Sequence, residues 1–180
     1  MALITDNKTD LKLFLLFIPV AYISYLFHEF GHWSVGEILG NDMVYSLNYV
    51  WPRSGKYIDP DHELLVSIGG PAFTILLSSG FLLIIEKFKT IYVYPVVFFQ
   101  MFLRFFSLVF GVFNNQDEAR ISGILDLGKY TVAILVVLIL FMIVWRASHV
   151  LSLNLRKNAF FFTMSTFCIL LVIGTYKFIL

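Results

Sequence analysis

The chain has 180 residues, 59% of them hydrophobic and 14% charged, with one cysteine and a formal net charge of +1. Soluble domains are about 45–50% apolar and about 25% charged, so a mean hydropathy of +0.83 assigns this chain to the integral membrane proteins. No basic patch stands out, which argues against nucleic acid as a partner. Cys168 lies alone in an apolar run, which excludes an intramolecular disulfide and suggests no thiolate chemistry.

In chain order, residues 1–10 read as a short polar tail. The first predicted helix covers about Leu11–Leu39 and stops near Gly40-Asn41-Asp42, a helix-end signal. It is too long for a signal peptide and is expected to stay in the mature protein. Within it stands His28-Glu29-Phe30-Gly31-His32, an H-E-x-x-H pattern. Positions four apart share a helix face, so both imidazoles can reach one metal ion. Glu29 sits about 100° round the helix, beside the ion rather than on it, and suits a general base that deprotonates a water. The ordinary alternative is a pair of hydrogen-bonded core histidines, but His and Glu are disfavoured at membrane depth unless they have work there.

Residues 43–51 alternate with a period of two, which predicts extended structure, and Pro52-Arg53-Ser54-Gly55 reads as a turn. Their Trp and Tyr side chains suit a membrane–water boundary. The second helix is predicted over about Asp61–Ile85. Gly69-Gly70-Pro71 within it should loosen or kink it and admit another backbone, although small-residue helix packing explains the same residues. A polar turn at Glu86–Lys89 leads to a third helix, about Ile91–Phe113, which carries Arg104 inside it. The polar break 114–120 follows, then a fourth helix over about 119–145, a polar turn at 146–158, and a fifth helix over about Ala159–Ile179. Each run approaches the roughly 20 residues needed to cross a bilayer. The predicted fold is one all-α transmembrane domain, 1–180, of about five helices, with a short strand-like hairpin between helices one and two.

Catalytic zinc takes three protein ligands and leaves a position open. Counting crossings places the 114–126 segment on the side nearer His32. Its acidic residues, Asp117, Glu118 and Asp126, are therefore the candidates for the third ligand. On a helical wheel Ile121, Ile124 and Gly128 fall within about 40° of Asp117, so Asp117 shares the apolar, inward face. Asp126 falls roughly opposite. Asp117 is favoured and Asp126 is the alternative, although Asp117 also suits a helix N-cap and Asp126 a solvated face. His62 reads as an interfacial histidine.

These features resemble the site-2 protease family of intramembrane zinc metalloproteases. The resemblance covers about Leu11–Trp145 and rests on the H-E-x-x-H pattern, the strand-like residues, Gly69-Gly70-Pro71 and a later acidic residue. The family's last ligand is an Asp in a Leu-Asp-Gly setting after an Asn-Pro-rich bend. Leu125-Asp126-Leu127-Gly128 only approximates it, and Asn114–Glu118 looks like a divergent branch in which Asp117 ligates.

The resemblance implies hydrolysis of peptide bonds in membrane-spanning protein substrates. Zn2+ would sit on His28, His32 and an Asp, and Glu29 would act as base. Residues 43–51 would pair with an unwound substrate, Gly69 and Gly70 would allow close approach, and Asn114 or Asn115 would hold the substrate backbone. The expected location is the cell (inner) membrane. Basic residues divide seven to five in favour of a cytoplasmic N-terminus, whereas the resemblance implies a site facing the cytoplasm, so orientation stays open. The other reading is a non-proteolytic metal-binding membrane protein, a pseudoprotease or a binder of partner helices. A transporter fits less well, because the intramembrane charges gather at the H-E-x-x-H end, Arg104 excepted.

Overall fold

A computed structural model describes residues 11–110 and 116–178. Helix α1, Leu11–Ile38, ends where the sequence predicts. Gly40 adopts φ +84°, Asn41 N–H donates to the Gly36 carbonyl at 3.0 Å, and Gly40 N–H donates to Glu37 at 2.9 Å. This left-handed cap satisfies the last carbonyls and suits a residue without a Cβ.

The chain then turns back along the helix it has just left. Strands β1 (Met43–Tyr45) and β2 (Val50–Pro52) pair antiparallel, with Met43 opposite Pro52 and Tyr45 opposite Val50. Their turn lies at 46–49, where the amide and hydroxyl of Ser46 both donate to the Tyr49 carbonyl, at 3.0 and 2.7 Å. The expected turn at 52–55 also forms, with Gly55 N–H donating to Pro52, but it lies after the hairpin. Tyr45 Oη donates to the Leu26 carbonyl at 2.6 Å. Leu26 is about 18 Å back along α1 from its end, at 1.5 Å per residue. Leu47 packs against the apolar core. The hairpin therefore dips toward membrane depth, where irregular backbone is tolerated only against protein or a wet cavity.

Helix α2 runs His62–Phe88. The predicted loosening at Gly69-Gly70-Pro71 does not break it. Pro71 removes its own N–H bond and crowds the carbonyl four residues back, a defect that membrane helices tolerate where neighbouring helices pack against it, and the two glycines lie under α1. Ile91–Val93 form a 3-10 turn before α3, Tyr94–Phe110.

The predicted fourth helix is in fact two. A short α4, Asp117–Ile124, ends at Asp126, which adopts φ +51°, while Leu127 N–H donates to the Ser122 carbonyl at 3.0 Å. The apolar residues Ile124, Leu125 and Leu127 made the segment read as continuous. The polar side chains of α4 keep it out of the hydrocarbon, and Asp is among the few residues that enter the left-handed region readily. The crossing helix is α5, Thr131–Val150. Helix α6, Leu155–Phe178, starts earlier than predicted because Asn154 caps it, its Oδ1 accepting from Lys157 N–H at 2.9 Å.

Among the described residues five helices are long and apolar enough to cross a membrane: α1, α2, the 3-10 turn with α3, α5 and α6. The core sits away from the H-E-x-x-H end. Phe161 packs on Phe17 at 5.6 Å and on Tyr94 at 4.8 Å between ring centres. At that far end Arg146 Nε donates to Glu86 at 2.8 Å and Tyr94 Oη to Asn158 at 2.7 Å. The charged ends of α2 and α5 are thus tied together.

Candidate metal centre

Three elements build the site. His28 and His32 lie one turn apart on α1, α2 packs across them, and α4 brings Asp117 from the other side. His28 Nε2 is 3.0 Å from Asp117 Oδ2, His32 Nε2 is 3.2 Å from the same oxygen, and the two Nε2 atoms are 3.2 Å apart. The two imidazoles are buried and Asp117 is largely so. Asp117 is the first residue of α4 and Gln116 occupies the cap position, so the N-cap alternative does not hold.

The rings are aimed from behind. His32 Nδ1 donates to the Val66 carbonyl at 2.7 Å. A carbonyl only accepts, so the proton resides on Nδ1 and the Nε2 lone pair points into the triangle. The Gly70 amide also lies 3.3 Å from Nδ1, but the shorter Val66 contact decides the tautomer. His28 Nδ1 meets Thr74 Oγ1 at 3.0 Å. Val66, Gly70 and Thr74 recur every four residues and form one stripe of α2 facing the imidazoles. A Cβ at Gly70 would fall on His32 Nε2 and 2.6 Å from His28 Cε1, so only glycine leaves room for both rings.

Asp117 is held from both sides. Arg104 Nη1 lies 3.7 Å from Oδ2 and Arg120 Nη1 3.7 Å from Oδ1. Arg120 also donates to Ser67 Oγ at 3.2 Å and pairs with Glu63 at 3.8 Å, which docks α4 on α2. The Gln116 amide donates to the Ser107 carbonyl, which docks it on α3. Burial alone would raise the Asp117 carboxyl, but the adjacent imidazoles outweigh it and hold the group well below the usual carboxylate range.

Glu29 is buried on the same turn and lines a cavity of about 190 Å³ with His28, His32, Asp117, Tyr49 and Arg104. It makes no side-chain hydrogen bond or ion pair among the described residues. Asp126 is not in this group. Glu118 is buried and faces Arg104 at 3.4 Å rather than the imidazoles. His62 pairs with Asn41 at 3.1 Å. Gly69 faces Gly31, and Gly70 faces the rings, so what approaches closely at these glycines is α1. Asn114 and Asn115 lie outside the described residues. Sequence reading assigned no role to Thr74, the Val66 carbonyl, Arg120 or Arg104. The four-residue stripe on α2 and a charge inside a membrane run were the available signals for Thr74, Val66 and Arg104.

Two imidazole nitrogens and one carboxylate oxygen suit zinc. Ligand atoms about 2.0–2.1 Å from a tetrahedral zinc stand about 3.3 Å apart, and the triangle here has edges of 3.0, 3.2 and 3.2 Å. A bare Nε2 lone pair facing a carboxylate oxygen is repulsive unless a cation or a proton lies between them. The donor set therefore fits a metal ion.

The molecule is thus a multi-pass membrane protein with a buried His28/His32/Asp117 group that could hold a metal ion. No family model, curated protein or solved structure matches the chain.

Proposed function

We propose that the chain is an intramembrane zinc endopeptidase, similar in design to the site-2 proteases, that hydrolyses peptide bonds of membrane-spanning substrates. One observation carries this reading. Among the described residues three ligand atoms come together with no fourth, and a carboxylate without a hydrogen bond or ion pair there, Glu29, shares their cavity. A structural zinc site closes with four protein ligands, whereas a hydrolytic one keeps a position free beside a base.

Bound zinc supplies a Lewis acid that polarises a carbonyl and lowers the pKa of a water toward about 7. His28, His32 and Asp117 would hold it, while Thr74 and the Val66 carbonyl keep the ring nitrogens aimed. Glu29 accepts the proton of the attacking water and returns it to the leaving amine. Val50 of β2 and Asn48 and Tyr49 of the hairpin turn line the cavity. A substrate helix hides its peptide bonds, so an unwound segment paired along β2 would bring one bond to the site. Pro52 at the end of β2 limits that pairing to the residues before it.

The test is Glu29→Gln in the full-length protein, assayed for zinc and for cleavage of a panel of single-span reporter proteins. Zinc content is expected to persist while cleavage falls about 10²–10⁴-fold, the usual worth of a general base. His28→Ala should lose both. Cleavage that survives Glu29→Gln overturns the mechanism. A metal-loaded wild-type protein that cleaves nothing favours the non-proteolytic reading.

A further inference from the structure

Arg104 is a permanent positive charge on a membrane-crossing helix, with its side chain 9% exposed. Burying such a charge is costly unless it is fully paired, and among the described residues Arg104 has only two long ion pairs, both through Nη1. Nη1 stands 3.4 Å from Glu118 Oε1 and 3.7 Å from Asp117 Oδ2, both longer than the 2.7–3.2 Å of an ordinary N–H···O bond. Nε is buried and has no hydrogen-bond partner among the described residues. A guanidinium kept only to neutralise Glu118 would meet it fork to fork, with two short parallel bonds. Arg104 instead lines the cavity that holds Glu29 and the three ligands. It borders the ligand oxygen itself and keeps a donor in reserve.

We infer that Arg104 is a further catalytic residue of this site, a preformed donor for the anionic oxygen that develops on the substrate carbonyl. The inference rests on the peptidase reading above. In the step it serves, the water oxygen bonds to the carbonyl carbon and its proton passes to Glu29. The carbonyl π pair moves onto oxygen, and that negative charge meets the guanidinium. When the pair returns to re-form C=O, the C–N bond breaks and Glu29 protonates the departing nitrogen. A donor fixed in place before the charge appears needs no reorganisation as it forms, which is why such groups weigh heavily in low-dielectric sites. Glu118 is the positioning residue that keeps the guanidinium from swinging away.

The experiment uses full-length protein loaded with cobalt, whose visible spectrum reports on the metal, and inorganic phosphate as the oxyanion probe. Arg104→Lys keeps the charge and loses the planar fork. It is expected to keep one cobalt per chain and to weaken phosphate binding roughly tenfold, the worth of one charge-assisted hydrogen bond. In the zinc form, reporter kcat should drop about a hundredfold or more, with KM changed little. Wild-type protein labelled with 15N-arginine gives a readout that survives a misfolded variant. Phosphate should move one protected Nε–H resonance, and an unmoved spectrum overturns the inference. So does a metal-loaded Arg104→Lys protein that binds phosphate and cleaves like wild type. If phosphate binding depends on Arg104 but the wild type cleaves no reporter, the peptidase reading falls and the anion-binding role stands.

Discussion

Gly31 of α1 and Gly69 of α2 meet backbone to backbone. A Cβ on Gly31 would stand 2.5 Å from the Gly69 carbonyl oxygen, and a Cβ on Gly69 would stand 2.5 Å from that of Gly31. The nearest atoms on both sides are backbone and cannot withdraw as a flexible side chain would, so the contact fixes how closely the H-E-x-x-H turn lies to α2. That approach lets His32 reach the Val66 carbonyl and His28 reach Thr74.

Gly31→Ala or Gly69→Ala should therefore force the helices apart. Overpacking of this kind costs about 1–3 kcal/mol, and the displaced rings should also hold zinc less tightly. Gly80→Ala on the same α2 is the control, since nothing lies within 4 Å of its added Cβ. It is expected to be neutral or stabilising by up to about 1 kcal/mol. Thermal melting in detergent with metal analysis checks both; an unchanged Gly69→Ala would contradict the close crossing.

Gly70→Ala separates fold from site. Its Cβ meets only imidazole atoms among its nearest neighbours, so the rings must move while the backbone need not. Zinc affinity should fall about 10–100-fold, as when a supporting partner of a metal ligand is lost. Thr74→Val should act in the same direction by removing the oxygen at His28 Nδ1. Zinc titration with a competing chelator measures both.

Asp117→Asn should abolish tight zinc binding, whereas Asp126→Asn should leave it intact. Asn also tolerates the left-handed backbone that Asp126 occupies, so the second variant should melt like wild type. The depressed acidity of Asp117 has a pH consequence. A carboxyl lowered in the folded state contributes stability above its unfolded value, near 3.9, and loses it only as pH falls through its folded value. Asp117 therefore stays ionised on mild acidification, and metal release there reflects protons competing for the imidazoles. Metal content against pH for wild type, with the stability of the apo protein measured alongside, tests this. Loss of apo stability above pH 5 traced to Asp117 would contradict it.

Gln100 is 1% exposed, and neither its amide nitrogen nor its oxygen has a partner among the described residues. Replacing an unpaired buried amide with an apolar group of similar shape relieves a cost of about 1–3 kcal/mol. Gln100→Leu should thus melt higher than wild type with zinc content unchanged. A lower melting temperature would mean that the amide has a partner in the membrane.

Much of this was legible from residue order alone. Apolar runs separated by polar breaks revealed five helices fit to cross, because a bilayer sets a minimum apolar length for each. Spacing by four placed His28 and His32 on one face, because a helix repeats every 3.6 residues. The wheel also ranked Asp117 ahead of Asp126, although it treated as one helix a segment that ends at Asp126. Period two predicted extended chain at 43–51, but it could not place the reversal at Ser46–Tyr49, which rests on hydrogen bonds to one carbonyl.

What only the tertiary structure decided is which distant groups surround the two imidazoles. Asp117 lies 89 residues from His28, and the Val66 carbonyl, Thr74 and Arg104 come from two other helices. Periodicity describes one helix at a time and carries no information on how two helices are rotated against each other. That rotation is set by packing, here by two glycines that let α1 and α2 touch, and by Arg120, Gln116 and Glu118, which pin α4 above them.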